Sequence, residues 1–443
     1  MTGMEMRFHS GNFCLLAVGA MLITSVSASA GPAGNPADRV TLEEAAREAV
    51  AWHPVLSEVA GELRARGTEV DVARAGYSPQ ISAGVATGYD SRLTGSWRPR
   101  PQISASQMIY DFGKVASQVD SAWAGVRIGQ AQLLSAVDDL VRDTGYAMIE
   151  VQRGEALHRI AIEQLDRVRA ISDLVDNRVT KGAATQSDGL QALARVEAVM
   201  ATLSQIEAVR RRWSSNLAFL LGRPAPPGTV DMDVPGWLMA ACRQPSIDWK
   251  DVPAVMAAEA RKDQAEADLR RSKAEQLPTI SIGGTGTIDV SDPLSDRRSA
   301  YTIGLNVTNN VFGGGITKAR VRGAQYAVDA AEAATDRVRN ETAQRLSESQ
   351  QQIESLNALL KTLSSREGNM SETGKLYRMQ YLEMGTRTLV DLLNAEQEYQ
   401  QVRMEAANTV HDLRRLELDC LYSSGRVRSA FHLTGMVVRG VTL

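Results

Sequence analysis

The sequence predicts a mainly α fold assembled twice over, each copy supplying long helices and one pair of strands. Three observations carry this. Pro54 and Pro79 are spaced as Pro253 and Pro278 are, 25 residues apart, with 199 residues between copies. Downstream, Ile109-Tyr110-Asp111-Phe112-Gly113 answers Val311-Phe312-Gly313-Gly314-Gly315 at an offset of 202. Gly182, Thr185 and Asp188 answer Gly385, Thr388 and Asp391 at 203, and Leu221-Gly222-Arg223 answers Ser424-Gly425-Arg426 at 203. Finally, no proline falls between Gly113 and Pro224, or after Pro293. Proline is the strongest helix breaker, so both stretches are candidates for very long helices.

At the N-terminus, Arg7 precedes an apolar run from Phe13 to Ile23, and Ala28-Ser29-Ala30 offers a small-x-small cleavage site. The pattern is that of a signal peptide over 1–30, with Gly31 as first mature residue. The apolar run is too short to span a bilayer. Cys14 lies inside it, preceded by Gly11-Asn12-Phe13, which do not look like a lipoprotein signal.

The first copy covers 31–222. Thr41 followed by Glu44 reads as a capping box, and a second helix runs from Pro54 to Tyr77. Ile81, Ala83, Val85, Thr87 and Tyr89 alternate with small or polar residues, the period of a strand with one apolar face. The strand pair is expected at about 80–89 and 101–111, joined by a loop from Gly95 to Pro101. The second copy, 251–426, repeats it at about 279–290 and 299–312. The offset jumps by three in the hairpin loop, where insertions are tolerated. Leu134, Val137, Val141, Thr144, Met148 and Val151 step by three and four, as do Ile353, Leu356, Leu360 and Leu363, the mark of a coiled-coil seam. Residues 223–250, with Pro224, Pro226, Pro227, Pro235 and Pro245, form a Pro-rich linker, and 427–443 a C-terminal tail.

Composition narrows the function. Aromatics make up 5 % of the chain, thin for several globular cores. A net charge of −3 argues against nucleic acid as a partner. Gly313-Gly314-Gly315 lacks the Lys-Ser/Thr of a phosphate loop, and the histidines have no metal-ligand spacing, so neither cofactor nor enzyme activity is expected. Two mature cysteines remain, Cys242 and Cys420. In an oxidising compartment they form either a disulfide or two buried thiols, and the matched Gly222 and Gly425 bring both copy ends to one level.

Each strand is long enough to cross a bilayer when tilted, but two hairpins are too few to close a barrel, and an open edge in lipid leaves backbone groups unpaired. The strands must be shared between chains. Three copies give twelve strands, the smallest number that makes a roomy barrel.

The order helix, strand pair, long helix, turn, helix, repeated after a signal peptide, resembles the TolC-like outer-membrane efflux and type I secretion channels. Gly385-Thr386-Arg387-Thr388-Leu389-Val390-Asp391-Leu392-Leu393-Asn394-Ala395-Glu396 looks like that family's helix-turn signature, and Gln107 to Gly113 like its strand-to-helix junction. The resemblance implies a homotrimer in the outer membrane, contacting its lipid. It also implies a twelve-stranded β-barrel, a helical barrel across the periplasm, an adaptor protein, and an inner-membrane transporter of the ABC or RND type. Carried over by position, it places Asp391 at the pore constriction, with Asn394 standing where the family has a second acid, and puts Arg387 and Asp188 in the linking network of a closed tip. The simpler account of Thr185/Asp188 and Thr388/Asp391 is that they cap helix starts. The segment Thr388 to Glu396 and the Gly-Arg ending resemble secretion-type members, which favours type I protein secretion over small-molecule efflux. A periplasmic coiled-coil scaffold without a pore explains the helices but not the matched strand pairs.

Overall fold

The computed structural model describes residues 39–89, 97–243, 247–288, 299–310 and 313–443. The expected signal peptide lies outside them. The first copy comprises β1 (Arg39–Val40), α1 (Leu42–Trp52), α2 (Pro54–Arg74), β2 (Gln80–Tyr89), β3 (Trp97–Tyr110), α3 (Lys114–Thr180) and α4 (Gln186–Leu221). The linker holds β4 (Thr229–Val230) and α5 (Gly236–Met239). The second copy comprises α6 (Pro253–Ala274), β5 (Thr279–Ile288), β6 (Ser299–Thr308), α7 (Ile316–Met379) and α8 (Leu389–Ser423); α9 (Val427–Ala430), β7 (Val437–Val438) and β8 (Val441–Thr442) end the chain.

Local chemistry accounts for most boundaries. The Thr41 hydroxyl accepts from Glu44 N–H at 3.2 Å while the Glu44 carboxylate takes the Thr41 N–H at 3.0 Å, a reciprocal cap that opens α1. Pro54 and Pro253 start α2 and α6, where a missing N–H costs nothing. Gly113 and Gly315 cap α3 and α7 at φ of 91° and 86°, a conformation that side chains with a Cβ resist. With no proline inside it, α3 runs 67 residues, about 100 Å at 1.5 Å per residue. Its seam residues Val137, Val141, Thr144, Met148 and Val151 are buried. In α7 only Leu363 of the matching set is buried within the chain. α3 pairs with α4, α7 pairs with α8, and α2 and α6 fill the end of the bundle nearest the strands.

The four long strands form one antiparallel sheet in the order β2-β3-β5-β6. Ala83 faces Ile103 in the first hairpin, and Ile282 faces Leu305 in the second. These pairs are equivalent only if three extra residues lie between β5 and β6. Ile81, Val85, Pro101, Ile103, Ile282, Ile303 and Leu305 share one face by register, while Ser82, Gly84, Gln102, Ser104, Thr285, Thr302 and Asn306 share the other. The apolar face is uncovered: Tyr301 is 83 % exposed and Ile303 72 %. Between Met108 and Tyr110 the register shifts, so Ile109 is a bulge where β3 turns toward α3.

Three sequence expectations need correction. The return strand expected at 101–111 begins at Trp97, taking in Pro99 and Pro101. Alternate residues of a strand aim their N–H groups at opposite neighbours, so prolines two apart leave one side undonated. Accordingly, pairing with β5 starts only at Gln102. The strand expected at 299–312 ends at Thr308, before the turn-forming pair Asn309-Asn310; residues 289–290 and 311–312 lie outside the described residues. Finally, 427–443 is folded rather than a tail. Phe431 and Leu433 are fully buried, and Phe431 meets Trp237 edge-on, 5.0 Å between ring centres. Among the described residues of the linker, β4 pairs parallel to β1.

These segments join α1, the middle of α3 and the end of α8 in the main core. Beside it on α8, His411 is buried, with Nδ1 2.7 Å from the Ala407 carbonyl. Burial holds its pKa down at about 4, with Arg414 and Arg153 adding to the effect. An unfolded chain takes up this proton from about pH 6.5 downward and the folded one does not. Stability is therefore lost between pH 6.5 and about 4 on acidification, by about 3 kcal/mol for each chain. Melting curves at pH 7 and 4.5 should show His411→Leu losing less than the parent protein; equal losses would place the acid sensitivity elsewhere.

Candidate gate at the helical tip

The far ends of α3 and α7 lie about 100 Å from the sheet and turn back into α4 and α8. Both turns use a left-handed glycine, Gly182 at φ 74° and Gly385 at φ 63°. After each, a threonine opens the returning helix through a capping box. Asp188 N–H donates to Thr185 Oγ1 at 3.2 Å, and Thr185 N–H returns a bond to the Asp188 carboxylate at 3.0 Å. Asp391 N–H donates to Thr388 Oγ1 at 3.2 Å, and Thr388 N–H returns one at 3.2 Å. The capping account of both aspartates is therefore real.

It does not remove their charge. The backbone N–H and hydroxyl of Thr388 hold the Asp391 carboxyl below the usual carboxylate range, and those of Thr185 do the same for Asp188. Both stay ionised at neutral pH. Three residues on, Asn394 shares a helix face with Asp391 and is exposed. The other side of α8 carries Leu389, Leu392 and Leu393, all buried. Arg387 is exposed; its Nε donates to Gln380 Oε1 at 3.3 Å, and its guanidinium sits 4.3 Å from the Tyr377 ring centre. Arg387 and Asp391 thus share one turn, whereas Asp188 belongs to the other hairpin and is held by Thr185.

Sequence reasoning missed the residues that join the two hairpins. Tyr381 packs with Ile171, Val175, Ala192, Leu389, Leu392 and Leu393 in a small core separate from the main one. The Arg178 guanidinium lies 4.9 Å from the Tyr381 ring centre, and its Nη1 donates to the Tyr381 carbonyl at 3.4 Å. The signal for this region is the one-residue drift of the repeat offset, from 202 to 203, across the long helices.

Midway along the bundle, where the end of α8 packs on the middle of α3, the structure joins Cys242 to Cys420 by a disulfide, with Cα atoms 5.4 Å apart. Among the described residues no helix is long and apolar enough to cross a membrane. A two-faced sheet at one end of long paired helices, with charged turns at the other, is the geometry of a duct.

Residues 45–223 and 250–417 match the family described as outer membrane efflux protein. The chain belongs to that family. The outer membrane efflux protein match covers most of both copies and breaks across the linker between them. Among relatives, Protein CyaE of Bordetella pertussis is 26 % identical over 334 residues, covering 70 % of this chain and 68 % of that one. Outer membrane efflux protein BepC of Brucella suis is 23 % identical over 399 residues, covering 84 % and 82 %. The outer-membrane channel OprN has the same fold, with a TM-score of 0.73 at 20 % identity over 90 % of this chain and 96 % of that one. The protein is accordingly an outer-membrane channel of the efflux and secretion class with a long periplasmic helical barrel, and channels of this family are trimeric.

Proposed function

We propose that three copies of this chain form the passive exit duct of a tripartite exporter, joined in the periplasm to an adaptor and an inner-membrane transporter, and that its cargo is a protein secreted by a type I system. The observation that carries the duct is the sheet. β2 and β6 each have one free edge, and one face is apolar while the other is polar. Closing β6 of one copy on β2 of the next removes every edge, turns the apolar face to lipid and leaves a polar lumen. Energy comes from the transporter, and the chain itself does no chemistry. The secretion reading rests on the likeness of Thr388 to Glu396 to secretion-type members. The name of the relative BepC favours a second reading, small-molecule efflux. Removing the chain from its host separates them: a protein missing from the culture medium supports secretion, and drug sensitivity with unchanged medium supports efflux.

Single-channel recording of the purified mature protein tests the duct. Discrete, long-lived openings are expected, and a soluble monomer that never conducts would overturn it. Asp391 is proposed to line the constriction, where three ionised carboxylates attract cations. Asp391→Ala should shift the reversal potential toward zero in a salt gradient; an unchanged potential would remove Asp391 from the pore.

A further inference from the structure

Within one chain the two copies already meet, and the same contact can be made once more with the next chain. Beneath the strand order β2-β3-β5-β6 runs a helix order α2, α3, α6, α7, in which each helix packs on the one before. α6 of the second copy thus covers the far edge of the first copy at α3. α7 has no such cover: only five of its 64 residues are buried within the chain. The copies correspond at 199 residues for α2 and α6, started by Pro54 and Pro253, and at 202 for α3 and α7, capped by Gly113 and Gly315. Repeating the α3/α6 contact therefore names the residues that meet where α7 of one chain takes α2 of the next. The sheet supports this. β3 on β5 sets Ala105 against Gly284 and Ile103 against Gly286. The same register sets Val307 of β6 against Val85 of the next β2, and Leu305 against Thr87, so the apolar face continues across the boundary.

Charge at the helical part of this contact changes sign from inside the chain to its boundary. Inside, Arg270 Nη2 of α6 donates to Asp120 Oδ2 of α3 at 3.1 Å, and Arg127 Nη2 of α3 donates to Asp263 Oδ2 of α6 at 2.9 Å. Asp71 on α2 and Arg322 on α7 answer Arg270 and Asp120, while Arg64 and Asp329 answer Asp263 and Arg127. Both pairs are again complementary, and both are reversed. All four residues are exposed, and among the described residues neither Asp71 nor Arg322 has an ion-pair partner in its own chain. Arg64 gives one of its five N–H groups to the Arg439 carbonyl, and Asp329 accepts from Gln325 at 3.1 Å. Reversal makes the two contacts mutually exclusive. A foreign α2 laid on α3 sets Asp71 beside Asp120 and Arg64 beside Arg127. An α6 laid on a foreign α7 sets Arg270 beside Arg322 and Asp263 beside Asp329. Like charges so placed repel, which selects against the wrong partner. Resting on the reading that three chains close one barrel, we propose that α2 of one chain docks on α7 of the next through Asp71–Arg322 and Arg64–Asp329. Their reversed sign makes α3 take α6 and α7 take α2.

The half-time of trimer dissociation in detergent at a fixed temperature tests the contact. Mass in detergent should give three chains for the parent; a monomer overturns the trimer reading and the contact with it. Asp71→Arg sets like charges at three boundaries at once and should shorten the half-time by about tenfold or more, and Arg322→Asp should do the same. Asp71→Arg combined with Arg322→Asp restores attraction and should return the half-time to within about twofold of the parent. If neither single variant assembles, recovery of the trimer by the double variant carries the test. Unchanged half-times in both single variants of a trimeric parent overturn the contact alone, as does a double variant no more durable than the singles. The double variant also gives the boundary the sign of the internal contact, so Asp120 no longer repels a foreign α2 there. On refolding it should leave about twofold or more protein in assemblies other than the trimer. A double variant as durable and as uniform in mass as the parent overturns the selection of partner by charge.

Discussion

Arg428→Ala should cost about 3–5 kcal/mol, the range for breaking a buried ion pair by removing one partner. Asp138 on α3 is 1 % exposed, and Arg428 Nη1 donates to its Oδ2 at 2.5 Å. Arg428 Nη2 donates to the Asp251 carbonyl at 2.7 Å, so one guanidinium joins the first copy, the start of the second and the C-terminal segment. Burial pushes the Asp138 carboxyl up to about 7, against the pull of Arg428. Without the arginine, a carboxyl is left unpaired in a dry core, where burial favours its protonated form. An unfolded chain releases this proton above about pH 4 and the folded variant holds it, so stability is lost as pH rises through the raised pKa. Arg428→Ala should therefore recover part of its loss at pH 5. Replacing both partners with apolar residues of similar volume, Asp138→Leu with Arg428→Met, should cost far less than Arg428→Ala. Denaturant melts monitored by helical circular dichroism check all three. An Arg428→Ala protein as stable as its parent at pH 7 would mean that the pair contributes nothing.

Removing the disulfide should have the second largest effect. Cys242 sits in a short 3-10 turn of the linker and Cys420 is fully buried on α8, 178 residues apart in sequence. A cross-link closing so long a loop removes about 5 kcal/mol of unfolded-chain entropy in the simplest treatment, and measured losses run about 2–5 kcal/mol. Because a large membrane channel unfolds irreversibly, the loss is best read as a rate. Cys420→Ala, which leaves no buried polar atom, should unfold faster in detergent, with the linker around Met239 to Arg243 cleaved first by protease. Intact mass should show two hydrogens fewer in the parent than in its reduced form. Two free thiols in periplasmically folded protein, or an unchanged unfolding rate in Cys420→Ala, would rule out a stabilising bridge.

The regular elements were legible because their causes are local. Thr41 and Glu44 cap each other across one turn, and Pro54 and Pro253 start helices whatever lies around them. The alternation of Ile81, Ala83 and Val85 with Ser82 and Gly84 marks a two-faced strand. The candidate gate was legible in part. Thr388 and Asp391 could be read as a cap from spacing alone, whereas a role at the constriction had to come from family resemblance. Pro99 and Pro101 misled the reading of β3, since a proline's cost in a strand depends on which side lacks a neighbour.

By itself the sequence determined the duplication, the capped ends of the helices, the length of α3 and the alternation of the sheet, all written within a few residues or in a repeat. Tertiary structure alone decided that 427–443 folds into the core, that Arg428 meets Asp138, and that Arg178 seats on Tyr381. Those partners are hundreds of residues apart, and no local pattern says which side chains will meet. What brings them together is burial, which requires each charge and ring to find a partner once the two copies have packed.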